Sequence, residues 1–197
     1  MIRAGIIGGA GYTAGELIRL LVNHPRAEIG FVHSTSNAGN RLADVHGGLE
    51  GDTELRFCDS RKWLASHDLP QELRIVDLAQ DFRDESEGFV YGLPELQRDR
   101  IREARRVANP GCFATAIQLA LLPLAAARLL RDEVHVTAIT GSTGAGVKPS
   151  ATTHFSWRTA NVSVYKAFTH QHLLEIGRTL QRLEPAFDRA VNFIPMR

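Results

Sequence analysis

The chain opens on an apolar run, Ile2 to Ile7, closed by Gly8-Gly9-Ala10-Gly11 and followed by Leu17, Leu20 and Leu21 at helical spacing as far as His24-Pro25. Apolar residues three and four apart share one helix face, and a proline stops the ladder, so the segment reads as strand, glycine turn, helix. Glu28 to His33 reads as a second strand, Glu54 to Phe57 as a possible third, Ser60 to His67 as a helix and Leu73 to Leu78 as another buried strand. Alternation of this kind predicts an α/β fold, a parallel sheet with helices on its faces.

The character of the sequence changes near Asn109-Pro110-Gly111, and a division into residues 1–111 and 112–197 is expected there. From Phe113 to Leu130 the chain is almost wholly apolar, with Pro123 a kink; a Val134 to Thr140 strand, a glycine-rich loop and a Val162 to Phe168 strand follow. Leu173, Ile176, Leu180 and Leu183 then mark a last helix.

Bulk properties remove several classes of function. With 23 basic and 22 acidic residues and no Lys/Arg stripe, the chain is not suited to tracking a phosphodiester backbone, so nucleic acid is not expected. No run approaches the ~18 apolar residues of a membrane span, and the N-terminus is too short for a signal peptide, so a soluble cytoplasmic protein with no membrane partner is expected. The two cysteines, Cys58 and Cys112, form no C-x-x-C pair; reduced thiols and no metal site are the expectation.

Two constellations carry chemistry. Gly8-x-x-Gly11-x-x-Ala14, with Tyr12 and Thr13 inside it, lies where the first strand passes into the first helix, so small residues let a pyrophosphate approach the helix N-terminus. A tight turn needed only for packing is the plainer alternative. NAD sites commonly end the second strand on an acidic residue, whereas here it runs into His33-Ser34-Thr35-Ser36-Asn37 with Arg41 nearby. Hydroxyls from Ser34 and Ser36 with the Arg41 cation suit a 2′-phosphate, so NADP(H) is expected over NAD.

The second constellation is Asn109-Pro110-Gly111-Cys112-Phe113, which places a thiol at the start of a long apolar helix, where the helix dipole and unpaired N–H groups stabilise a thiolate. A small buried hydrophobe is the commoner fate of a cysteine and fits Cys58 better. Of the eight histidines, His170 and His172 stand where a strand gives way to a helix and are the candidate proton acceptors. If the strand continues through His172 both rings share a face; if a helix has begun they point about 200° apart and only one reaches the thiol. His24, His33, His46, His67 and His135 read as structural or surface residues, and His154 stays open. Gly141-Ser142-Thr143-Gly144-Ala145-Gly146, followed by Lys148, gathers N–H groups, hydroxyls and a cation that could hold an acyl phosphate or the nicotinamide end, or could be an ordinary loop.

Taken together, Gly8 to Leu17, Val76-Asp77-Leu78-Ala79-Gln80-Asp81-Phe82-Arg83, Tyr91-Gly92-Leu93-Pro94-Glu95-Leu96, Asn109 to Thr115 and His170-Gln171-His172 resemble the N-acetyl-gamma-glutamyl-phosphate reductase family, in order along nearly the whole chain. The resemblance implies a Rossmann-type domain joined to an α+β catalytic domain of the semialdehyde dehydrogenase type, NADP(H) as cofactor, a small-molecule acyl-phosphate substrate and a homo-oligomer, dimer or tetramer. It implies that Cys112 attacks the acyl phosphate, that one of His170 and His172 is the acid-base residue, and that Arg83, Glu95, Gly144, Lys148 and Tyr165 lie on the substrate side. Family members carry a further strand and a glycine-containing loop between Phe57 and Arg61, where this chain has only Cys58-Asp59-Ser60, and they continue past Phe193-Ile194-Pro195-Met196-Arg197, so one sheet strand is expected to be missing and the second sheet to have an open edge. A nucleotide-binding module without chemistry and a sibling reductase acting on aspartyl phosphate are the competing functions.

Overall fold

The structure is a computed structural model describing residues 1–59, 70 and 72–197. The helix expected over Ser60 to His67 lies outside those residues. The chain forms two compact units, Met1–Asn109 and Pro110–Arg197.

In the first unit, β1 (Ile2–Ile7), α1 (Tyr12–Val22), β2 (Ala27–His33), α2 (Leu42–Val45), β3 (Phe57–Cys58), β4 (Leu73–Asp77), β5 (Val90–Tyr91), α3 (Pro94–Glu103) and β6 (Arg106–Ala108) follow in order. All strand pairs are parallel, in the order β3-β2-β1-β4-β6-β5. Because β1 is buried on both sides, its residues serve two cores. Ile6 packs with Ala14, Ile18, Val32, Leu42 and Phe57 on one face, and Ile7 with Leu73, Ile75, Phe89 and Ala108 on the other. Ile18, fully buried, ties α1 to the sheet; truncating such a side chain to alanine costs roughly 2–5 kcal/mol. The strand order reverses between β1 and β4, and in open parallel sheets the crevice beyond the carboxyl ends at that reversal is where ligands bind. Among the described residues, β4 pairs directly with β1 from Arg3↔Leu73 to Ile7↔Asp77, so the omission expected beside Cys58 leaves no gap in this sheet.

The second unit contains α4 (Cys112–Ala126), β7 (Val134–Ile139), α5 (Phe155–Arg158), α6 (His172–Leu183) and β8 (Val191–Met196). β7 and β8 pair in parallel over six residues, and α4 and α6 enclose a core of Phe113, Ile117, Leu121, Ile176, Leu180 and Phe193. Along β7 the side chains alternate, with Val134, Val136 and Ala138 against the core and Ile139 exposed. α4 runs through Pro123 but ends at Ala126, short of Leu130, and Arg128 beyond it turns left-handed at φ 56°.

The strand expected over Val162 to Phe168 does not form. Only Val164 bridges, antiparallel, to Met196, because Lys166 and Phe168 take left-handed φ values of 45° and 60° that no strand accommodates. Tyr165 N–H and Phe168 N–H nevertheless donate to the carbonyls of Pro195 and Phe193, so the segment stays beside β8 as an irregular edge.

Candidate functional site

The glycine turn of the first unit is built from backbone. Gly8 has φ 76°, a conformation that favours glycine, and Ala79 N would lie 3.4 Å from any Cβ added there. Gly11 caps α1 with no side-chain hydrogen bond, and a Cβ on it would meet nothing closer than Gly8 O at 3.7 Å. The first-turn N–H groups therefore face a clear approach, the arrangement a pyrophosphate needs. Tyr12 and Thr13, the first helical residues, are exposed at that end, and Ala14 is fully buried against the sheet. Two further glycines prove sterically necessary, though the spacing motif did not single them out. A Cβ on Gly9 would fall 2.2 Å from Val32 Cγ1, and one on Gly15 2.7 Å from His46 Nδ1, whose ring also bonds Gly9 O at 2.8 Å through Nε2.

Beyond β2, Asn37 Nδ2 donates to Ser34 Oγ at 3.3 Å and Ser36 Oγ at 3.1 Å, gathering the two expected hydroxyls into one polar cluster. Arg41 is engaged elsewhere. Its guanidinium lies 3.0 Å from Glu54, 3.6 Å from Glu50 and 3.8 Å from Asp44, and those carboxylates raise its pKa. On the far side of the reversal, Asp77 at the end of β4 is fully buried. Its Oδ1 accepts from Ala79 N–H and its Oδ2 has no partner. Burial pushes this carboxyl up; the Ala79 N–H opposes that, Asp81 adds to it and Arg83 opposes it. Arg83 Nε donates to Asn109 O at 3.0 Å, fixing the segment that leads to the cysteine. Glu95 is exposed in the first turn of α3.

In the second unit Cys112 is exposed as the first residue of a 15-residue helix, whereas Cys58 in the first unit is half-buried. Gly111, the residue before it, donates its N–H to Glu175 Oε2 at 3.0 Å, and a Cβ there would lie 2.2 Å from His172 Nε2. His172 lies flat against the glycine, and its Nε2 is 3.9 Å from Glu175 Oε1. All three of His170, His172 and Glu175 are buried.

The helix does begin at His172, yet the two imidazoles are neighbours, with centroids 4.5 Å apart and planes at 73°. The 200° separation applies only to residues both inside a helix, and His170 sits in the turn before it. His172 N–H donates to His170 Nδ1 at 3.2 Å, so a neutral His170 carries its proton on Nε2. Burial lowers the pKa of His170, the Lys166 charge lowers it further and Glu175 acts the other way. Tyr165 stacks edge-on to His170 at 5.8 Å. Burial raises its pKa, the Arg197 charge lowers it and Cys112 raises it. Gly144 and Lys148 are exposed on the glycine-rich loop, where a 3-10 turn spans Ser142–Ala145. His154 caps α5, its side chain accepting from Ser156 N–H.

Glu175 escaped the sequence reading. Its signal is the His172-x-x-Glu175 spacing, which puts both side chains on one helix face, but carboxylates at that spacing are common on exposed helices and only packing against Gly111 distinguishes this one.

Comparison with known proteins follows the same two-unit division. Residues 3–70 match the semialdehyde dehydrogenase NAD binding domain and residues 112–197 the semialdehyde dehydrogenase dimerisation domain. N-acetyl-gamma-glutamyl-phosphate reductase of Parabacteroides distasonis is 55% identical over 217 residues, covering 100% of this chain and 67% of the relative. The enzymes of that name from Bacteroides thetaiotaomicron, with the same coverage, and Flavobacterium johnsoniae, with 68% of the relative covered, are 56% and 50% identical. The first match spans 217 residues against the 197 of this chain, so the relative holds internal residues with no counterpart here. Among solved structures, aspartate semialdehyde dehydrogenase II of Vibrio cholerae complexed with ASA superimposes with a TM-score of 0.63 at 13% identity, over 100% of this chain and 70% of that one. The Candida albicans aspartate semialdehyde dehydrogenase with NADP gives 0.60 at 15%, over 100% and 67%. At such identities these two establish the fold. No described helix is long and apolar enough to cross a membrane, and among the described residues no cluster could hold a metal ion. On the strength of relatives at 50–56% identity across its whole length, the chain belongs to the N-acetyl-gamma-glutamyl-phosphate reductase family.

Proposed function

We propose that this chain carries out NADPH-dependent reduction of an N-acyl-gamma-glutamyl phosphate to the corresponding semialdehyde, through a thioester on Cys112, in the cytoplasm and as a homo-oligomer built through its dimerisation domain. The observation that carries the reading is the setting of Cys112: an exposed thiol at a helix N-terminus whose capping glycine is clamped by a buried imidazole and a buried carboxylate.

The first-turn N–H groups of α4 offer donors to an oxyanion on the attacked carbonyl. Cys112 Sγ bonds to the acyl carbon, the carbon–oxygen bond to phosphate breaks, and phosphate departs with the electron pair. NADPH, when bound, supplies the hydride that takes the thioester to the aldehyde level. The tetrahedral adduct on Cys112 then collapses, expelling the thiolate and releasing the semialdehyde. His172, whose ring lies against Gly111 with Nε2 3.9 Å from Glu175 Oε1, is the better placed of the two histidines to exchange a proton beside Cys112. His170, with Nδ1 occupied and its basicity lowered, acts as an Nε2–H donor. Gly8, Gly11, Tyr12, Thr13 and Ala14 would hold the dinucleotide at the start of α1, with Ser34 and Ser36 at its 2′-phosphate. Lys148 and Gly144 would face the substrate phosphate.

Cys112→Ser tests the reading. Turnover of N-acyl-glutamyl phosphate should fall by at least about a thousandfold while NADPH affinity, measured by nucleotide fluorescence, stays within twofold. Retained turnover would remove the thioester from the mechanism.

A further inference from the structure

Several arginines of the first unit are paired with acids: Arg41 sits among Asp44, Glu50 and Glu54, Arg100 lies 3.0 Å from Glu85, and Arg19 lies 2.8 Å from Glu16. Around Tyr165 the pattern is different. Arg197 lays its guanidinium over the Tyr165 ring, Cζ 4.8 Å from the centroid, and donates Nη2 to Thr152 Oγ1 at 3.3 Å; its Nε has no hydrogen-bond partner. Arg158 donates to the carbonyl of Arg197 and to Ser163 Oγ, and Lys166 donates to Gln171 Oε1 at 3.2 Å. Among the described residues, none of these three cations is paired with an acidic side chain. The guanidinium is thus held in one plane while its charge is left uncompensated.

We infer that Arg197, stacked on Tyr165, receives a carboxylate of the substrate held at Cys112. A planar guanidinium presents paired donors that match a carboxylate in two parallel bonds, and stacking on an aromatic face removes much of the side-chain freedom that binding would otherwise have to freeze. The substrate class named above carries a carboxylate that takes no part in the reaction, so a fixed cation gripping it would aim the reacting carbon at sulfur. The Tyr165 ring beneath the guanidinium lies 5.8 Å from that of His170, which is 4.5 Å from that of His172, and His172 lies against Gly111, the residue before Cys112, so cation and sulfur border one cluster of rings. The inference rests on Cys112 being the activated thiol of the proposed function.

Alkylation of the chain as it stands separates the two ideas without requiring turnover. Iodoacetate carries a carboxylate next to the carbon that sulfur attacks, and iodoacetamide is its neutral analogue. Labelling rates at Cys112 are read by mass spectrometry, with Cys58 as internal reference. Arg197→Met should slow iodoacetate at Cys112 roughly five- to tenfold and leave iodoacetamide within twofold, Arg197→Lys should restore at least half of the lost rate, and circular dichroism should show all variants folded. An unchanged iodoacetate-to-iodoacetamide ratio in folded Arg197→Met overturns the inference while leaving the thiol's activation intact. Iodoacetamide labelling of Cys112 no faster than of Cys58 instead overturns the activated thiol, and the inference with it. In steady state, Arg197→Met should raise KM for the semialdehyde in the phosphate-dependent reverse reaction and leave KM for inorganic phosphate unchanged; a rise confined to phosphate overturns the assignment to a carboxylate.

Discussion

The two units build their sites from opposite materials. In the first, the glycine turn is defined by what is missing: no side chain at Gly9 or Gly15, a left-handed φ at Gly8 and clear space at Gly11, so that the start of the helix is left open to approach. In the second, the side chains of Cys112, His172 and Glu175 make the site, and Gly111 lets an imidazole lie flat against the chain. A backbone site tolerates chemical change and fails on volume; a side-chain site fails on both. Both units bury a carboxyl with one unpartnered oxygen, Asp77 in the first and Glu184 in the second, and the second also sets the buried Glu175 beside an imidazole.

The sharpest break of this comparison is Gly111→Ala. The added carbon would lie 2.2–2.6 Å from the His172 ring, so the imidazole has to move. A displacement of about 1 Å costs on the order of a hundredfold in kcat/KM. That loss should appear in steady-state rates with NADPH affinity preserved, and a loss below threefold would mean that His172 is not held by this contact.

A pair of substitutions in the first unit comes next. Gly9→Ala drives a Cβ into Val32 and close to His33 O, and overpacking of this kind destabilises by about 1–3 kcal/mol. Gly11→Ala meets only ordinary contact at 3.7 Å, so its stability cost should stay under about 1 kcal/mol. Its NADPH dissociation constant should rise roughly tenfold, because the new methyl occupies the approach to the helix N-terminus. Thermal melts and nucleotide titrations on both variants give the answer; equal melting temperatures would show that the turn is looser than its packing implies.

The smallest effect concerns Asp77. Its folded pKa is raised above the unfolded value, so its contribution to stability is fully present below the ordinary carboxylate range and is lost as pH rises through the folded pKa. Asp77→Asn removes that loss. The melting temperature of the wild type relative to the variant should therefore fall between pH 4 and pH 7. A difference that does not change with pH would place the charge outside the buried environment.

The same contrast explains what could be seen in the sequence. The glycine turn was legible because it is local: strand, turn and helix are adjacent in the chain and each has its own residue signature. Cys112 was legible for the same reason, through the Pro-Gly lead into an apolar helix. Glu175 was not, because its partner Gly111 is distant in sequence and only the packing of α4 on α6 brings them together. The strand expected over Val162 to Phe168 failed for a related reason: its β-branched and aromatic residues fit a strand, but its course beside β8 is set by left-handed turns at Lys166 and Phe168 that the residue types do not announce. β5 and β6, two and three residues long, are too short to show any period.

The bond from Gly111 N–H to Glu175 spans 64 residues. During synthesis the cysteine emerges well before the helix that will clamp its neighbour, so the contact at Gly111 waits on the rest of the unit. The clamp on the cysteine's neighbour is therefore a product of tertiary assembly, absent from any copy of the chain in which α6 has not yet docked.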